Sequence, residues 1–78
     1  MTTTRRPNGD APFDNVRLAM RDHRRCVVFG ASGDQREAEL VVFTEDIDEL
    51  LMRRESLAQE GLDSPVTEEA IRLIRSLA

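Results

Sequence analysis

Apolar positions along the chain change period several times, and each change predicts an element. Phe13, Val16, Ala19 and Met20 fall at helical spacing. They predict a first helix capped by Asp10, with Pro12 in its opening turn and its end near His23. Residues 25–29 then have the β-branched and aromatic content of a short strand. Residues 37–43 read as a second strand, although good helix formers at 35–40 compete for its start. Along it, Ala38, Leu40 and Val42 face one way while Val41 and Phe43 face the other. Apolar residues on both faces predict cover on both sides, by helices or by another subunit.

Helical spacing returns after Phe43. Thr44 is placed to cap a helix, with Glu45 and Asp46 in its positively polarised first turn. Ile47, Leu50, Leu51, Leu57 and Ala58 supply its buried stripe, Glu49 and Arg53 form an i,i+4 pair, and Gly61 suits a left-handed stop. Asp63, Ser64 and Pro65 make a turn. A last helix starts at Thr67, with Val66 and Ile71 spaced as a hydrophobic staple and Ala70, Leu73, Ile74 and Leu77 continuing its apolar face. The expected fold is α+β, a small αββαα domain. Its two-stranded antiparallel hairpin is packed by helices and open to extension in a dimer. Residues 1–10 read as a mobile arm, 11–61 as the core domain and 62–78 as a C-terminal helix.

The stretch from Val27 to Asp34, VVFGASGD, spells like the start of a dinucleotide-binding loop. Such a loop needs a third glycine three residues on and a helix whose N-terminus holds the pyrophosphate. Arg36 stands at that glycine position, and the second strand follows too soon for a crossover helix. The segment is therefore read as a glycine-rich connection between antiparallel strands, with no cofactor implied.

Composition narrows the class. A chain of 78 residues makes one small domain with a modest core. No apolar run reaches membrane-spanning length and no signal-peptide core follows the first arginines, which predicts a cytoplasmic protein. One cysteine allows no internal disulfide. Charge divides along the chain: residues 1–36 carry seven Arg against four Asp, a net +3, and residues 37–78 carry a net −7. That split suggests two electrostatic tasks.

Catalytic chemistry finds little support. His23 and Cys26 are spaced as two metal ligands, but a tetrahedral site needs three or four and no other His or Cys exists. The acids from Glu45 to Glu49 splay around a helix start without the glycine of a calcium loop. Ser32 and Ser64 lack the strand–elbow–helix setting of a serine nucleophile. No catalytic, cofactor or metal residue is assigned, and the chain is expected not to be an enzyme. Arg5, Arg6, Arg17, Arg21 and Arg24 could together track a phosphate backbone, particularly in a dimer.

The order helix, strand, glycine-containing turn, strand, helix resembles small antitoxins of the Phd/YefM type. The matching residues are Val27, Val28, Phe29, Gly33, the run from Leu40 to Asp46, and Leu50 with Leu51, within residues 13–52. The resemblance implies dimerisation through the N-terminal part, operator DNA bound by basic residues there, and a toxin wrapped by an acidic C-terminal tail. The expected function is thus a small regulatory protein that forms a homodimer and masks a partner protein. Leu73, Ile74 and Leu77 would anchor that partner, with Glu60, Asp63, Glu68 and Glu69 meeting its basic groups. The alternative is a small acidic inhibitor or accessory protein of the phage type, bound to a host nucleic-acid-processing complex and without DNA affinity.

Overall fold

Asp22 and His23 carry φ values of 53° and 63°. Two successive left-handed residues make the tight turn whose twist suits a β-hairpin. They join β1 (Asn15–Arg21) to β2 (Arg24–Gly30). The connection after β2 holds a 3₁₀ turn at Gly33–Gln35 and leads into β3 (Glu39–Phe43). A second 3₁₀ turn at Thr44–Asp46 opens into α1 (Ile47–Gln59), and α2 (Pro65–Arg75) follows. The computed structural model describes residues 6–77.

The three strands form an antiparallel sheet in the order β1-β2-β3. This architecture is α+β, but the element order is βββαα. The expected first helix is strand β1. Its helical spacing is matched by an equally good alternation: Val16, Leu18 and Met20 on one face, Arg17, Ala19 and Arg21 on the other. The loop from Gly30 to Asp34 joins antiparallel strands, with no crossover helix.

Register determines which residues share a face. Val16 pairs with Phe29 and Phe29 with Leu40, while Leu18 pairs with Val27 and Val27 with Val42. This inner face meets the helices, where Val27, Phe29 and Val42 pack with Leu50, Val66, Ala70 and Ile71 as the core. Phe13 closes one end, its ring edge-on to Phe29 at 5.7 Å. Burying a side chain the size of Phe29 or Leu50 stabilises the fold by about 1.5–3 kcal/mol.

Three local expectations are corrected. Asp10 does not cap a helix beside it; it caps α2. Thr44 opens the 3₁₀ turn and caps nothing, so α1 begins three residues later with Asp46 at its N-cap. The last helix starts at Pro65, the favoured residue type for a first turn, and Thr67 lies inside it. Gly61, with φ of 77°, provides the expected left-handed stop after α1. Of the stretch expected as an arm, residues 1–5 lie outside the described residues. Pro7 and Gly9 exchange backbone hydrogen bonds with Asp63, at 2.9 and 2.7 Å.

Candidate functional site

Three surfaces hold the residues of interest. The first is the outer face of the sheet, away from the helices. Pairing of Arg17 with Val28, Ala19 with Cys26 and Arg21 with Arg24 places all six on this face, together with Val41 and Phe43 from β3. Cys26 and Val28 are fully buried, while the arginines reach solvent. Arg24 lies 3.8 Å above the Phe43 ring and is paired with Glu45. Arg21 reaches Glu39 at 3.3 Å, so this ion pair bridges from β1 to β3 across the central strand. Of the three arginines, only Arg17 has no ion pair among the described residues.

The second is a buried polar node under the start of α2. Asp10 is fully buried. One of its carboxylate oxygens accepts from the backbone N–H groups of Val66 and Thr67, at 2.9 and 3.0 Å. The other accepts from the Thr67 hydroxyl at 2.6 Å and from Arg53 Nε at 3.3 Å. Arg53 Nε also lies 3.0 Å from Thr67 Oγ1, and its guanidinium sits 5.8 Å from the Phe29 ring centroid. Every acceptor site of the carboxylate faces a donor, which is what permits a charge at full burial. The node therefore secures structure and offers no free group to a substrate.

The third surface is the exposed side of the helical layer. Asp48, Glu49, Glu55 and Glu60 are exposed there, and Met52 is 68% exposed in their midst. A shallow hollow between the helices is lined by Leu51, Met52 and Ala58 and rimmed by Asp48, Glu55, Glu68, Arg54 and Arg75. The floor is apolar and the rim carries both signs, with Asp48, Glu55 and Glu68 against Arg54 and Arg75, an arrangement that suits a partly apolar, charged partner segment.

The residues singled out for partner binding are divided by the fold. Leu73 and Ile74 are half-buried and pack against the core. Leu77 lines a different hollow, with Leu18, Ala19, Met20 and Arg25 at the edge of the sheet. Glu68 rims the helical hollow, Glu69 is paired with Arg72, and the backbone of Asp63 is tied to residues 7 and 9. Glu60 is exposed at the end of α1. Arg6 lines an open hollow with Asn8, Arg54 and Glu68, apart from the sheet arginines, and Arg5 lies outside the described residues. His23 is exposed in the hairpin turn while Cys26 is buried, and no group of three residues suited to a metal occurs among the described residues.

Sequence reasoning passed over Met52 and Leu18. Met52 interrupts the polar side of α1, off the stripe that begins with Ile47 and Leu50, and an apolar residue out of phase with its helix was the available signal. No family model, curated protein or solved structure matches the chain. No helix among the described residues is long and apolar enough to cross a membrane.

Proposed function

We propose that the chain is a non-enzymatic regulatory module, antitoxin-like in role, that binds and masks a basic partner protein through its helical layer. The supporting observation is an exposed methionine set among carboxylates on the helical layer. Asp48, Glu49 and Glu55 of α1 lie around the open Met52, and its hollow is lined by Asp48, Glu55 and Glu68 together with Arg54 and Arg75. Met52 takes the anchoring role here, because Leu51, Leu73 and Ile74 are all engaged with the core. Glu55, Glu60 and Glu68 would meet the partner's basic groups.

A second reading, DNA contact by the sheet, is supported by the placement of the three arginines on one face. It ranks lower because Glu39 and Glu45 already engage two of them. Comparative capture from cell lysate separates the readings. Met52→Arg and Glu55→Arg should lose a stoichiometric partner that both the unaltered chain and Arg17→Glu retain through a salt wash. Retention by the helical variants would overturn the masking proposal. The captured protein's identity would separate a toxin from a subunit of a nucleic-acid-processing complex. Gel-shift binding that falls with salt and with Arg17→Glu would favour the sheet instead.

A further inference from the structure

We propose that β1 is a self-association edge, at which a second copy of this chain pairs antiparallel about a two-fold axis through Leu18. β1 lies at the border of the sheet and has no strand on its outer side among the described residues. At seven residues it is long for an edge, it carries no proline, and its two charged residues, Arg17 and Arg21, lie on the outer face. Folded proteins ordinarily protect such an edge by shortening, bulging or charging its apolar side. Here that side holds Leu18 and Met20, 41% and 62% exposed, which are two of the three large hydrophobics left open among the described residues. The other border strand differs: β3 has five residues, its inward Val42 is buried and Leu40 is packed against the core.

Symmetry and charge then select the register. Residues directly opposite in an antiparallel pair share a face, so the two-fold axis of a self-pairing strand must pass through a residue. An axis through Arg17 sets Arg17 against its own copy, and one through Ala19 sets Arg17 against Arg21. Like charges directly opposite are destabilising. An axis through Leu18 pairs all seven residues and avoids both clashes: Arg17 faces Ala19, and Arg21 faces Asn15. On the inner face it sets Leu18 against Leu18 and the open Met20 against the half-buried Val16 of the second copy. The hollow beside this edge, which Leu77 and Arg25 also line, would be continuous across the axis. The product is a six-stranded antiparallel sheet, and the interface is isologous as a closed dimer requires. This inference is independent of the masking role, since Met52 and its hollow take no part in the contact.

Sedimentation equilibrium on the full chain, joined to thiol crosslinking, tests it. The unaltered chain should sediment at twice its chain mass, and Met20→Lys, at an exposed site, should return it to the single-chain mass with an unchanged circular dichroism spectrum. Leu18→Cys should give a covalent dimer with a short bifunctional thiol reagent, whereas Met52→Cys on the helical layer should not. Cys26 is buried and stays silent in both. A single-chain mass at millimolar protein would overturn the proposal. So would a dimer that crosslinks through Met52→Cys and not through Leu18→Cys.

Discussion

Asp10 caps the helix that contains Thr67, although the two residues stand 57 positions apart in sequence. A helix N-terminus leaves backbone N–H groups without intrahelical partners, and the nearest residue usually supplies the cap. Ser64 occupies that position in α2 but makes no side-chain capping bond. The carboxylate comes instead from the segment before the sheet. One side chain thereby joins the beginning of the described chain to its last helix, with Arg53 of α1 as the third member.

Replacing Asp10 with Ala leaves the N–H groups of Val66 and Thr67 unbonded and removes the buried partner of Arg53. We expect a loss of about 2–4 kcal/mol in urea unfolding, the scale of breaking a buried charge-assisted network. Asp10→Asn keeps one acceptor and should lose less than Asp10→Ala. In a double-mutant cycle with Thr67→Val, the coupling should reach about 0.5–3 kcal/mol, as for residues sharing one network. Additive losses would contradict a joint role.

Much of the architecture was legible from pattern alone. The strands at 25–29 and 37–43 were found because β-branched residues dominate them, and the stop at Gly61 because only glycine enters the left-handed region without strain. β1 was misread because Phe13, Val16 and Met20 satisfy a helical period while Val16, Leu18 and Met20 satisfy period two. The turn at Asp22 and His23 would have decided it. Asp and His do visit positive φ more often than most residues, yet neither is the glycine that usually marks a two-residue hairpin. The Asp10 node was illegible for another reason. A cap supplied from the far end of the chain leaves no local spacing to read.

Asp14 is held below its ordinary value of 3.8, chiefly by the hydrogen bond from the Ser32 hydroxyl and then by that from Asn15. A depressed carboxyl contributes stability above its unfolded value and loses it as pH falls through the folded value. Ser32→Ala should therefore raise the Asp14 pKa toward 3.8, as followed by carboxyl-carbon NMR. The stability difference between the two proteins should be largest near neutrality and shrink in acid. An Asp14 titration that does not move would contradict the assignment.

Two glycines should respond differently to alanine. A methyl group at Gly9 would meet Leu57 Cδ2 at 2.8 Å, Leu62 Cβ at 2.9 Å and the Asp63 carbonyl at 3.0 Å. Two of these contacts are with backbone or a Cβ, so they cannot yield without moving the chain beside α2. We expect Gly9→Ala to cost about 1–3 kcal/mol, the range for overpacking. At Gly30 the nearest atom is Asn15 Oδ1 at 2.9 Å, on an exposed side chain that can rotate away. Gly30→Ala should cost less, and thermal unfolding of the pair makes the comparison.

Ending the chain after Gly61 tests whether the last helix is a separable appendage. Residues 62–78 include Val66, Ala70 and Ile71, all buried against the sheet and α1. Thr67 also goes, leaving the Asp10 carboxylate without the three donors at the start of α2. Burial of the valine and isoleucine alone contributes about 3–6 kcal/mol at the usual scale for such side chains. Small domains are stable by only about 5–15 kcal/mol in all. The shortened chain should therefore lose cooperative thermal unfolding and give a poorly dispersed amide NMR spectrum. Partner binding cannot then be assigned to α2 by truncation, and the substitutions at Met52 and Glu55 are the ones that separate binding from folding. A well-dispersed spectrum from residues 1–61 would show that the sheet and α1 hold together without α2.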